Sequence, residues 1–173
     1  ITGPVTLSPP SRVTMVPVTS ALEMHDAAVQ CASDADIFIG AAAVSDYRPD
    51  SVAPEKLKKT AGQDRVITLV QNPDIIATVA KLPQRPALMI GFAAETTDVI
   101  AHAREKRAKK GLDYIVANDV SDPDTTFGSD QNAVHLIGED EAHYLPLATK
   151  QVIAERIVSL VAHQLAATSQ APS

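Results

Sequence analysis

Three lysines, Lys56, Lys58 and Lys59, crowd into the stretch APEKLKK of a 173-residue chain whose formal net charge is −6. A cluster of this kind needs either solvent or an anion. Asp46 and Tyr47 stand just upstream of it. A carboxylate beside lysines suits a phosphate that arrives with Mg²⁺, the metal offsetting part of the ligand's charge. Pro49 and Pro54 flank the approach, which predicts a loop rather than a long helix. Lysines that only keep a loop soluble account for the same residues. Ala41, Ala42 and Ala43, ahead of Asp46, would let a ligand approach the backbone closely, although tight sheet packing asks for the same small residues.

A second candidate is Asn72-Pro73-Asp74-Ile75-Ile76. The order predicts a helix start with Asn72 as N-cap, Pro73 at the first helical position and Asp74 near the positive end of the dipole. The amides of such a first turn form an anion site, and a well-capped helix that binds nothing has the same sequence. A third is the helix end AREKRAKKG, with Arg104, Lys106, Arg107, Lys109 and Lys110. Positive charge there complements the dipole and is ordinarily a solvated face. Lys106 and Lys110 are nevertheless four apart and share that face, so both can grip one polyphosphate.

The elements that must position these residues alternate. Arg12–Val18 reads as a strand, and Ser20 with Glu23 spells a capping box that opens a helix to about Ala32. Ala35–Val44 is an apolar run of strand length, as expected where both faces of a sheet are covered. Arg65–Val70 predicts a strand, the helix from Asn72 follows, and Ala87–Glu95 predicts a buried strand. Thr97 caps a helix that ends at Lys110 with Gly111 beyond it. DYIVANDV reads as a strand, NAVHLIG and HYLPL as a late hairpin, and Thr149 as the start of a final helix to about Ala166. The pattern predicts an α/β, Rossmann-like, mostly parallel sheet with helices on both faces. Ligands in such folds bind beyond the carboxyl ends of the strands, where Asp46, Glu95, Asn118 and Asp119 fall.

Composition narrows the function. The acidic balance and 3% aromatic content argue against nucleic-acid binding. No apolar run is long enough to span a membrane and no leader pattern opens the chain, which predicts a cytoplasmic protein. Cys31 is the only cysteine, so no internal disulfide or cysteine-based metal cluster is available, and its setting reads as core. His25, His102, His135, His143 and His163 are scattered, without H-E-x-x-H spacing. No Walker A sequence and no G-x-S-x-G appear. A Rossmann-type oxidoreductase is disfavoured by the missing G-x-G-x-x-G. These residues reach an α/β domain with a distributed polyphosphate site, and they do not reach a reaction.

Five motifs in this order, AAAVSDYRP, APEKLKK, NPDI, GFAAET and ANDV, resemble phosphopantothenoylcysteine synthetase, the ligase half of a bacterial bifunctional coenzyme A enzyme. The likeness runs from GPVTL to the last helix. It implies that 4'-phosphopantothenate attacks CTP to give an acyl-cytidylate and pyrophosphate, and that cysteine then displaces CMP. The likeness also implies that Asp46, Lys56, Pro73, Asp74, Ile75, Ile76, Phe92, Lys106 and Lys110 contact CTP. Ala42, Ala43 and Asp46 would border the phosphopantothenate and the intermediate. Lys56, Lys58 and Lys59 would ride on a flexible flap, with Lys56 catalytic, and Mg²⁺ would come with the triphosphate rather than from a protein metal site. A homodimer and a fused or associated flavin-dependent decarboxylase are implied as well. The ligase domain is expected to cover residues 1–167, without the family's first strand and glycine-rich loop, and to be followed by a disordered tail, 168–173. A non-catalytic nucleotide-binding module is the alternative.

Overall fold

The computed structural model describes residues 1–58, 64–119 and 129–168. Helix α1, Ala21–Ala32, begins at the expected capping box. Ser20 Oγ accepts from Glu23 N at 3.2 Å, and Glu23 Oε2 accepts from Ser20 N at 3.0 Å. Strands β1 (Ile37–Gly40), β2 (Tyr47–Pro49) and β3 (Leu69–Gln71) follow, then the short helix α2 (Ile75–Ala80). Next come β4 (Leu88–Glu95), α3 (Val99–Lys110), β5 (Tyr114–Asp119), β6 (Gln131–Ile137), β7 (Ala142–Thr149) and the last helix, α4 (Lys150–Thr168).

The main sheet has the order β1-β4-β5-β6-β7. The first two pairings are parallel and the last two antiparallel, so the sheet is mixed where a mostly parallel one was expected. The late hairpin causes this, because β6 returns alongside β5 in the opposite direction. Helices cover both faces. Alternating side chains of the strands point to opposite sides. Leu88, Ile90, Tyr114, Val116, Val134 and Leu136 meet Ile153, Ile157 and Val161 of α4. Met89 packs with Ala28, Ala32 and Val79 of α1 and α2, while Ile115, Ala117 and Ile137 pack against Ala103 of α3. Coverage on both faces is why these strands read as unbroken apolar runs.

Several boundaries differ from expectation. Arg12–Val18 forms no strand among the described residues. Pro17 makes one parallel bridge to Thr2, and a residue without an N–H cannot carry the ladder further. Only Gly40 and the three residues before it pair in the run 35–44. Of the run 65–70, Leu69 and Val70 pair, joined by Gln71, and they do so with β2 in a separate two-stranded ribbon. Asp74, not Asn72, caps α2, its Oδ1 accepting from Ala77 N at 3.1 Å. Asp98, at φ 43° and with no side-chain cap bond, precedes α3 in place of Thr97, and Gly111 closes the helix at φ 69° as its missing side chain allows. Thr149 does open α4, accepting from Val152 N at 3.3 Å. Thr168 belongs to that helix, and residues 169–173 lie outside the described residues. Cys31 is exposed rather than core, because Ala28 and Ala32 take the buried face of α1.

A polar cluster ties the hairpin to α4. Tyr114 donates its hydroxyl proton to Glu141 Oε1 at 2.6 Å, Gln164 Nε2 donates to the same oxygen at 3.1 Å, and His143 Nε2 lies 2.9 Å from Oε2. Burial, then the Glu141 hydrogen bond and charge, raise the Tyr114 pKa well above its ordinary value. The Tyr114 hydrogen bond, followed by that of His143, lowers the Glu141 pKa. A carboxylate whose folded pKa is depressed contributes stability that is complete above its unfolded pKa, about 4.3, and lost as pH falls through the folded value. Acidification from about pH 6 to about pH 3 is therefore expected to lower the melting temperature of the natural protein more than that of a Glu141→Gln variant. Parallel melting curves for the two would contradict this account.

Candidate functional site

A cavity of about 940 Å³ opens beyond the carboxyl ends of β1 and β4, large enough for a nucleotide-sized ligand. One wall is Gly40–Ala42 with Val44, Ser45 and Asp46 of the loop after β1, and another is Phe92, Ala93 and Ala94 of β4. Pro73–Ile76 at the start of α2, together with Lys106 and Lys110 of α3, close the polar side.

The Asp46 loop is held by Asn72. Asn72 N donates to Asp46 O at 2.8 Å, and its Nδ2 donates to Ser45 O at 2.8 Å. Arg48 Nη1 donates to Asn72 Oδ1 at 3.1 Å and to Gln71 O at 2.8 Å. The sequence assigned Asn72 to a helix cap, yet its side chain is committed across the β2–β3 ribbon instead. No signal in the local sequence pointed to Arg48.

Helix α2 sits close to the sheet because glycine lies beneath it. Gly40 and Gly91 are direct neighbours across the β1–β4 ladder. A Cβ on Gly40 would meet Ile76 Cδ1 at 2.8 Å; one on Gly91 would meet Leu112 Cδ1 at 2.6 Å and Ile76 Cδ1 at 3.2 Å. The side chain of Ile76 thus seats in a slot that only these two residues leave open.

The two lysines of α3 that line the cavity, Lys106 and Lys110, are engaged by carboxylates. Lys110 Nζ lies 3.1 Å from Asp74 Oδ2, in a pair that is substantially exposed. Lys106 Nζ lies 2.6 Å from Oε1 of Glu95, whose side chain is only 10% exposed, and His102 Nδ1 lies 3.8 Å from Glu95 Oε2. The start of α2 therefore carries its own carboxylate, which takes up the Ala77 amide and faces a lysine.

Most of the expected site residues come together. Ala42, Asp46, Pro73, Asp74, Ile75, Ile76, Phe92, Lys106 and Lys110 all line the cavity. Ala43, Lys56 and Lys58 are exposed and do not line it, and Lys59 lies outside the described residues. Among the described residues no group of three or more His, Cys, Asp or Glu side chains is placed to hold a metal. Asp46 and Asp74 line the cavity singly, which fits a cation whose other ligands are phosphate oxygens and water.

The sheet, its covering helices and a lysine-lined cavity at the strand ends define a Rossmann-like α/β domain. The chain belongs to the family of the DNA/pantothenate metabolism flavoprotein C-terminal domain, whose model matches residues 1–165. It is 47% identical to the coenzyme A biosynthesis bifunctional protein CoaBC of Escherichia coli (strain K12) over 160 residues, covering 91% of this chain and 39% of that protein. Against the CoaBC of Vibrio cholerae the identity is 44% over 166 residues, covering 95% and 42%. The chain thus spans about two fifths of the length of these curated relatives. A crystal structure of the C-terminal domain of CoaBC superposes with a TM-score of 0.76 at 36% identity, covering 94% of this chain and 71% of that one. The DNA/pantothenate metabolism flavoprotein from Streptococcus pneumoniae shares the fold, with a TM-score of 0.73 at 20% identity and coverage of 92% and 77%.

Proposed function

We propose that this domain carries the CTP-dependent ligation of 4'-phosphopantothenate with cysteine. The observation that carries the reading is the cavity itself, in a chain 47% identical to a CoaBC. Asp46, the start of α2 and Phe92, drawn from three of the five sequence motifs, converge there with Lys106 and Lys110 of α3.

In this reading Lys106 and Lys110 receive the triphosphate, and Mg²⁺ enters with CTP as part of the substrate. Asp46 and Asp74 are placed to face that cation. Gly40 to Ala42, without bulky side chains, let the phosphopantothenate lie against the backbone, and Ala43 borders it from outside the cavity wall. Phe92, 44% exposed, offers an apolar surface at the base end. The substrate carboxylate oxygen attacks the α-phosphorus of CTP and pyrophosphate leaves. The cysteine nitrogen then attacks the activated carbonyl carbon, CMP leaves, and the nitrogen loses a proton as the amide forms. Lys56, with Lys58 and Lys59 beside it, is delivered by the segment after β2 to stabilise charge during transfer and to keep water from the acyl-cytidylate.

The same reading makes the protein a cytoplasmic homodimer, fused to or associated with a flavin-dependent decarboxylase, in keeping with relatives named as bifunctional proteins. No helix among the described residues is long and apolar enough to cross a membrane. The test is pyrophosphate release by the natural full-length protein from MgCTP with 4'-phosphopantothenate present and cysteine withheld. Release dependent on phosphopantothenate is the expected result. CTP binding without release would leave a nucleotide-binding module, and no CTP binding would end the reading.

A further inference from the structure

We propose that Glu95 is a positioning residue for the nucleotide site, acting through Lys106; the proposal rests on the reading of Lys106 as a triphosphate ligand. Phe92, Ala93 and Ala94 of β4 line the cavity, and Glu95 continues the strand one residue past that wall. Its side chain is nine-tenths buried, and Oε1 has no hydrogen-bond partner of good geometry among the described residues. The Lys106 ammonium, 2.6 Å away, is its closest compensation, with His102 one turn earlier on α3 at 3.8 Å.

The two lysines of the site therefore differ in kind. Lys110 is paired with Asp74, which is 47% exposed and can be rehydrated when a ligand draws the lysine away. Glu95 cannot be, because an unpaired buried carboxylate is strongly disfavoured. Lys106 consequently stays with Glu95 when the ligand arrives. An ammonium has three donors; with one side committed to Glu95, the others remain for phosphate. A lysine on four free torsions would lose rotamer freedom on binding, and Glu95 has already removed that freedom before the ligand enters. The pair is neutral as a unit, but it is oriented, its positive end toward the cavity and its negative end inside the protein.

The experiment is MgCTP titration calorimetry and steady-state kinetics on the natural full-length protein. The variants are Glu95→Gln, Glu95→Asp, Lys106→Gln and the double substitution Glu95→Gln/Lys106→Gln. Glu95→Gln is expected to weaken CTP about tenfold, with kcat at saturating CTP within about twofold of the natural protein. Glu95→Asp keeps the charge but withdraws it by one methylene, so a loss of about threefold is expected. The double variant is expected to bind CTP no more weakly than Lys106→Gln alone, since Glu95 acts only through that lysine. A general loss of packing would instead add to the lysine's effect. Unchanged or tighter CTP binding by Glu95→Gln, or losses that multiply in the double variant, would overturn the proposal. Should Glu95→Gln not fold, Glu95→Asp decides alone, and binding equal to the natural protein overturns it. Absence of CTP affinity in the unsubstituted protein would remove the nucleotide reading, and this proposal with it.

Discussion

Replacing Lys56 by Gln is expected to lower turnover about a hundredfold while changing CTP affinity by less than about threefold. The split follows from where Lys56 sits. It is exposed, stands between Pro54 and the residues beyond 58, and does not line the cavity that Lys106 and Lys110 line. A residue outside the cavity adds nothing to ground-state binding there. In the proposed mechanism it acts only when its segment comes over the substrate, and a cation that meets charge developing in the transition state raises kcat rather than affinity. Steady-state kinetics at varied CTP, beside calorimetric titration of CTP, separate the two quantities. Equal losses in both would make Lys56 a simple anchor already engaged before reaction.

Gly91→Val is expected to destabilise the domain by about 1–3 kcal/mol and to weaken CTP binding at least about tenfold. Even the first added carbon would stand 2.6 Å from Leu112 Cδ1 and 3.2 Å from Ile76 Cδ1. Leu112 is buried at the close of α3, and Ile76 is seated from α2, so neither has open space to turn into. The neighbour that yields is the helix, and α2 carries Asp74, Ile75 and Ile76 into the cavity wall. Stability and ligand affinity should therefore fall together. For a domain of this size each kcal/mol corresponds to about 2–4 °C in melting temperature, which calorimetry resolves. A valine variant that melts and binds like the natural protein would show that Leu112 and Ile76 yield without cost.

What the sequence made legible is what depends on neighbours close along the chain. The capping box of Ser20 and Glu23 placed the start of α1 correctly, because both partners lie within one turn. The apolar runs of β4 and β5 were readable because both faces are covered, and the late hairpin because its strands are adjacent in sequence. Errors appeared where the deciding partner is distant. Asn72 looked like a cap until Ser45 and Arg48 claimed it, and Asp74 then took over the cap. Residues 12–18 have the composition of a strand, but Pro17 meets only Thr2 among the described residues. The start of α2 and the pair Lys106 and Lys110 were readable from helix-start chemistry and four-residue spacing, whereas Phe92 of β4 came only through family likeness. The burial of Glu95 was invisible, since a carboxylate at a strand end is ordinarily solvated.

The Asn72 junction also bears on how this sequence can change over time. One amide side chain bonds Ser45 and Arg48, 27 and 24 residues away, and its backbone holds Asp46. Substitution at 48 removes the donor to the Asn72 side-chain carbonyl, and substitution at 72 removes the donor to Ser45 O and leaves the guanidinium only its bond to Gln71 O. Neither stretch is free to drift alone. Among descendants of this chain, positions 48 and 72 should be inherited as a pair, changing together or not at all. Ser45, which contributes only its backbone carbonyl to the junction, should vary independently of both.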